Sequence, residues 1–328
     1  MPVRAAILIA ALLASAEEHP ASAAIDRGQS RVTLLGNDER VIGDVAVRDL
    51  EVDHPLVEHP AMIVLAGGAE GGFWTGGRLL LPLVRSGYSI RTMAYFGVEG
   101  TPARLVERDL EPIVAAIAQA RQTGGNERRC IGFIGASKGG ELAMLMASYG
   151  DTLSEAEGPL LDAIVAVAPS HVVWQTPYVT LSVRSSWAMQ GEAMAFVRHP
   201  WLSPHIFDVL FDFPNVSRYL KHALRNAPAS RTAEMPVERI STPTLMMAGD
   251  ADQVWPALDM AQTALERADR INPDHALELS VYEGDHFILS EDVAVRDAVM
   301  FLDRHLRAAA AAGACEADFL PLPGGQRR

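Results

Sequence analysis

The sequence predicts an α/β fold, a mostly parallel sheet with helices on both faces and a helical cap inserted over one end. Three observations carry that prediction. Short apolar runs bounded by turn residues alternate with helix-length segments over most of the chain. One of those runs, Cys130 to Gly135, enters a Gly-x-Ser-x-Gly turn that opens directly into a helix-forming stretch. The alternation then breaks once, between Ser170 and Ala233, where no clear strand is visible and aromatic side chains crowd together. A chain of 328 residues with 49% hydrophobic content can bury a sizeable core.

The elements follow in order. Arg4, the apolar run Ala5 to Ala14 and the small-residue sites Ala14-Ser15-Ala16 and Ala21-Ser22-Ala23 read as a signal peptide over residues 1–23. The expected location is therefore the periplasm or the exterior, with the cytoplasm as the alternative. The run is too short to span a bilayer, so no stable membrane insertion is expected. The catalytic domain is expected over residues 25–310. Arg31 to Leu35 and Val41 to Val47 are edge strands, Ala61 to Ala66 a buried strand, and Gly76 to Ser86 a helix after a glycine-rich loop. Tyr88 to Tyr95 is a strand, Pro102 to Gln122 a helix, Cys130 to Gly135 a strand and Leu142 to Tyr149 a helix. Further strands fall at Ala163 to Ala168, Thr244 to Ala248 and Leu277 to Tyr282, with helices near 257–267 and 292–309. Residues 170–235 form the cap, and 311–328 read as a disordered tail rich in Ala, Pro and Gly.

Charge and cysteine content exclude several classes. The net charge of −13 with no basic stripe leaves no basis for a nucleic-acid partner. Lysine occurs only at 138 and 221. Cys130 is assigned to a buried strand and Cys315 to the tail, so no disulfide is expected between them, and two cysteines are too few for a metal site.

The turn Gly135-Ala136-Ser137-Lys138-Gly139 has the spacing of a nucleophile elbow. So tight a strand–turn–helix requires near-vanishing side chains two positions either side of the serine. It exposes the Ser137 hydroxyl and aims helix N–H groups at whatever the serine attacks. The general base is expected after the last strand, at His286. His199, His205 and His222 fall in the cap, His305 on the last helix, and His54 and His59 before the core strands. The orienting acid should end the preceding strand, where Asp250 and Asp252 compete. Asp252, farther into the loop, has more freedom to reach the histidine, while Asp250 can fix the turn or cap the next helix. Asp285, adjacent to His286, ranks last. The oxyanion hole is expected from the backbone N–H of Lys138 and of Ala69 or Glu70, in the loop Gly67-Gly68-Ala69-Glu70-Gly71-Gly72. In the cap, Trp174 and Trp187 are candidates to line an acyl site, the other reading being the cap's own core.

The segments Gly68-Ala69-Glu70-Gly71-Gly72, Ala94-Tyr95-Phe96-Gly97, Leu110-Glu111 and Ser137-Lys138-Gly139-Gly140-Glu141 resemble the acyl-CoA thioesterase and bile-acid-CoA:amino-acid N-acyltransferase family in its C-terminal catalytic domain. Pro169 to Gln175, Pro236 to Ile240 and Gly249 to Pro256 continue the resemblance, which runs from about Ala61 to His286. It implies an α/β-hydrolase fold, a triad on Ser137, Asp252 and His286, and no metal or organic cofactor. Longer members carry a β-sandwich ahead of this domain, where the present sequence offers a few short strands. The family's amino-acid transferases carry cysteine at the nucleophile, so serine implies transfer of the acyl group to water. The expected function is a serine hydrolase cleaving acyl thioesters through an acyl-enzyme. A secreted carboxylesterase or dienelactone-hydrolase-like esterase is the alternative, and a non-catalytic binding protein on the same scaffold is the third reading.

Overall fold

The computed structural model describes residues 33–53, 57–122, 128–154, 158–177, 183–200, 203, 205, 216–225 and 227–321. The expected signal peptide lies outside them, as do Tyr178, Trp201, Phe207, Phe211 and Phe213 of the cap and the end of the tail.

The described residues open with an antiparallel hairpin, β1 (Thr33–Ile42) and β2 (Val45–Asp53). Its two-residue turn has Gly43 at φ 63°, the left-handed conformation that such hairpins need. The sequence reading of one strand over Val41 to Val47 is therefore corrected: Ile42 and Val45 face each other across that turn. The parallel body follows as β3 (Met62–Ala66), β4 (Ser89–Ala94), β6 (Ile131–Ala136), β7 (Ala163–Val167), β10 (Thr244–Gly249) and β11 (Leu277–Tyr282). The eight strands lie in the order β1-β2-β4-β3-β6-β7-β10-β11, antiparallel over the first two pairings and parallel from β4 onward.

Alternation along these strands makes two cores. Met62, Val64, Phe133 and Ile164 face one layer, formed by α2 (Glu111–Arg121), α3 (Lys138–Leu153) and α6 (Ala257–Ile271). Ile63, Leu65, Ile134 and Val165 face the other, formed by α1 (Leu80–Arg85) and α7 (Asp292–Ala311). Both faces of the central strands are covered, so they read as continuous apolar runs and not as alternating ones.

Helix α2 is shorter than expected. Pro112 has no N–H to donate and fits only a first helical turn, so the helix starts at Glu111 and not near Pro102. Ahead of it, Glu107 at φ 46° breaks the chain, and β5 (Arg108–Asp109) pairs with the cap. The cap is not purely helical. Besides α4 (Ser217–Leu224) and α5 (Ala227–Ala233) it contributes β8 (Trp187–Met189) and β9 (Glu192–Ala193), which form a three-stranded sheet with β5.

The expectations for the tail and cysteines are also corrected. After α7 the chain turns back across the start of β6, where the Cys130 N–H donates to Glu316 O at 3.2 Å and the Glu316 N–H to Arg128 O at 2.7 Å. This pairing places Cys315 beside Cys130 in a disulfide, both side chains buried. Residues 315–319 are thus tied to the body, with Ala317 and Phe319 against the second core. No helix among the described residues is long and apolar enough to cross a membrane.

Candidate active site

Strand β6 ends in the elbow. Ser137 has φ 57° and ψ −115°, a conformation that costs a non-glycine residue on the order of 1–3 kcal/mol. The surrounding glycines are sterically required. A β-carbon on Gly135 would lie 1.9 Å from Gly139 O, one on Gly139 2.3 Å from Ala66 O, and one on Gly140 2.3 Å from Val167 O. The turn is held from outside by the Ser137 N–H, which donates to Val167 O at 3.0 Å, and α3 begins at the very next residue. Its first N–H groups, that of Lys138 among them, have no acceptor within the helix and present partial positive charge at the serine. Ser137 is half-buried.

Asp252 and His286 lie on loops at the same edge of the sheet, after β10 and β11. Asp252 Oδ2 stands 2.8 Å from His286 Nδ1, with both side chains almost wholly buried. The other carboxylate oxygen, Oδ1, accepts the Val254 and Trp255 N–H groups at 3.0 and 2.8 Å. That double hold fixes the carboxylate against the imidazole, and an Nδ1–H donated to it leaves Nε2 as an acceptor. The competing aspartates have other partners. Asp250 Oδ1 accepts the Gly284 N–H at 3.1 Å and ties the two loops together, and Asp285 Oδ1 accepts the Phe287 N–H at 2.7 Å. Close packing leaves no freedom there, since a β-carbon on Gly249 would lie 2.2 Å from Asp285 O.

The loop after β3 reaches the serine from the other side. A β-carbon on Gly68 would stand 3.0 Å from Ser137 Cβ and 2.7 Å from Glu70 Oε2. Glu70 Oε1 accepts the Gly68 N–H at 2.9 Å, so that N–H is committed within the loop. This side-chain role of Glu70 had no counterpart in the sequence reading, where only its backbone was considered. The readable signal was a carboxylate two residues beyond a glycine in a tight loop.

Trp174 and Trp187, the candidates to line an acyl site, each donate to a partner inside the protein. Both are fully buried, with the Trp174 indole N–H donating to Ser170 Oγ at 3.0 Å and the Trp187 indole N–H to Glu141 Oε1 at 2.9 Å. Trp174 packs with Val172, Val197, Tyr219, Leu220 and Trp255 in a third core beneath the cap. Lys138 and Glu141 form a buried ion pair. Burial pushes the Lys138 ammonium down and the Glu141 carboxyl up, and their mutual attraction opposes both shifts. Ser217, at the start of α4, donates its N–H to Gln253 O at 2.7 Å, which seats the cap on the acid's loop.

A strained serine elbow and acid and histidine loops along one edge of a parallel sheet define the α/β-hydrolase class. The chain belongs to the BAAT / acyl-CoA thioester hydrolase C-terminal family, whose model matches residues 115–290, more than half of its length. Among solved structures, an esterase from Pyrococcus furiosus superposes in two crystal forms with TM-scores of 0.53 and 0.52 at 15% identity. The alignments cover 88% of this chain and 100% and 97% of theirs. A 2,6-dihydroxy-pseudo-oxynicotine hydrolase aligns with a TM-score of 0.49 at 19% identity over 87% of this chain and 70% of its own. No curated protein matches the sequence.

Proposed function

We propose that this protein is a serine hydrolase that cleaves acyl thioesters through a Ser137–Asp252–His286 triad. The observation that carries the reading is the buried Asp252–His286 pair on the sheet edge where β6 delivers Ser137 in its strained conformation. His286 Nε2 takes the Ser137 proton as the hydroxyl oxygen attacks the acyl carbonyl, and Asp252 stabilises the imidazolium through Nδ1–H. The negative charge on the carbonyl oxygen is met by the N–H groups of Lys138 and of Ala69 or Glu70. Each such donor contributes about 3 kcal/mol to the barrier reduction. Collapse expels the thiol with the proton from His286. Water, deprotonated by the same imidazole, then attacks the acyl-enzyme and returns Ser137.

Export belongs to this proposal. The basic and apolar opening of the sequence supports it, and so does the Cys130–Cys315 disulfide, since such bonds persist in oxidising compartments. The same disulfide favours a second reading, a secreted carboxylesterase, because coenzyme A thioesters are chiefly cytoplasmic. The likeness to the Pyrococcus esterase is compatible with either.

Fluorophosphonate labelling of the wild type, Ser137→Ala and His286→Ala proteins tests the triad. Labelling of the wild type alone is expected. An unlabelled, folded wild type would return the chain to the binding-protein reading. Turnover of acyl-CoA against p-nitrophenyl esters of matched chain length then separates thioesterase from carboxylesterase.

A further inference from the structure

The two expected oxyanion donors sit on separate segments, the loop at 67–72 and the start of α3, yet one buried chain of side chains joins them. The Tyr95 hydroxyl donates to Gly67 O at 2.8 Å and lies 3.4 Å from Gly68 O. Its ring packs on Trp187 with centroids 5.5 Å apart. The Trp187 indole N–H is held by Glu141 Oε1, and Glu141 Oε2 holds the Lys138 ammonium, which lies 5.9 Å from the Trp187 ring centroid. Tyr95, Trp187, Glu141 and Lys138 are all buried, so water cannot substitute for these contacts.

This chain acts on backbone orientation. A peptide is planar and trans, so its C=O and the next N–H point in opposite directions. Fixing Gly67 O therefore fixes the Gly68 N–H, which meets Glu70 Oε1 on the far side, and the Gly67–Gly68 peptide is gripped at both ends. The following plane carries the Ala69 N–H, whose direction is set by the Gly68 carbonyl under the same hydroxyl. Phe96 backs the rest of the loop. A β-carbon on Gly71 would lie 2.6 Å from its ring, and its carbonyl accepts the Gly72 N–H at 2.9 Å. Tyr95 is itself anchored, its carbonyl accepting from Arg108 Nε at 2.9 Å. The segment Ala94-Tyr95-Phe96-Gly97, without a role in the sequence reading, is thus the backing of that loop.

We propose that Tyr95 and Trp187 are positioning residues for acyl transfer, setting the distance between the Ala69 and Lys138 N–H groups so that both reach one developing oxyanion. This rests on the serine-hydrolase reading above. Neither residue touches the reacting atoms; both act through the backbone they hold. A core-packing role alone would change stability and leave the chemical step intact.

The test uses the full chain with Tyr95→Phe, which removes one oxygen, Trp187→Phe, which removes the indole N–H, and the double variant. For each, kcat and KM on a p-nitrophenyl ester, the rate of fluorophosphonate labelling and the Tm are measured well below the melting range. Each single variant is expected to lose tenfold or more in kcat and labelling rate with KM within twofold. The double variant should lose less than the product of the two, because both act on one unit. A kcat within twofold of wild type in a folded variant, whatever its Tm, overturns the proposal, and so does a rise in KM at constant kcat. Should one variant fail to fold, the other decides by the same readouts. Failure of both to fold counts against the proposal, since the residues would then be required for the core itself. A wild type inert to the phosphonate overturns the serine-hydrolase reading and this inference with it. A reactive wild type with unimpaired variants overturns this inference alone.

Discussion

The two ends of strand β6 are built to opposite specifications. At its start the strand is tied down from several sides. Cys130 is bridged to Cys315, the Arg121 guanidinium donates to Arg129 O at 3.0 Å and to Asp162 Oδ2 at 3.1 Å, and that carboxylate oxygen also accepts the Ile131 N–H at 2.7 Å. Arg129 Nε adds a bond to Pro60 O at 2.7 Å. At its end, six residues later, the backbone is forced to positive φ at Ser137, and glycines stand where any side chain would collide. A strand anchored this firmly at one end can hold a strained turn at the other, and the strain falls at the half-buried Ser137. The division follows the general rule that open α/β sheets place their sites at the carboxyl ends of the strands.

That contrast can be broken experimentally. The largest effect is expected at the strained end: Ser137→Ala should reduce kcat by roughly 10⁴-fold or more with little change in Tm. Equal losses in stability and activity would show that the elbow also carries structure. Gly135→Ala tests the steric requirement. Its methyl group would meet Gly139 O at 1.9 Å, so a destabilisation of more than about 3 kcal/mol is expected in denaturant titration. At the anchored end, Cys130→Ala with Cys315→Ala should cost on the order of 2–5 kcal/mol while leaving kcat unchanged below the melting range. A large fall in kcat would mean that the anchor tunes the elbow.

A further test uses the pH dependence of stability at His171, beneath the cap. Burial, with the Arg267 charge as a lesser cause, holds its pKa down at about 4, and its Nδ1 has no hydrogen-bond partner. Between about pH 6.5 and 4 the unfolded chain takes up a proton that the folded protein refuses. Stability is therefore full above the unfolded value and falls as pH drops through this window, by up to about 1.4 kcal/mol per unit. His171→Gln should flatten that part of the Tm–pH curve; an unchanged slope would assign it to other groups.

What the sequence disclosed follows from how local each feature is. The elbow was legible because its glycines, serine and flanking strand and helix lie within about a dozen residues and each has a steric reason. The choice of Asp252 over Asp250 rested on position along the chain, and Asp252 Oδ2 stands 2.8 Å from His286 Nδ1. The disulfide was missed because Cys315 looked like tail, and nothing near it in sequence says that residues 315–318 pair with 59–60 and 128–130. The cap strands β8 and β9 are three and two residues long, too short to show a period. Trp174 and Trp187 were aromatic side chains with two readings, and only the burial of their indole N–H partners separates them. The Tyr95–Trp187–Glu141 chain links three distant segments, and no local pattern could have announced it.

The Cys130–Cys315 bridge also dictates an order of events during biogenesis. Its partners are 185 residues apart, so β6 stays unlatched until the chain has been made past residue 315. A polypeptide stopped early, or clipped after α7, carries a complete elbow and a complete acid–histidine pair but leaves Cys130 as a free thiol. The bridge thereby separates chains that extend past residue 315 from shorter ones, and a thiol-reactive reagent can tell the two apart.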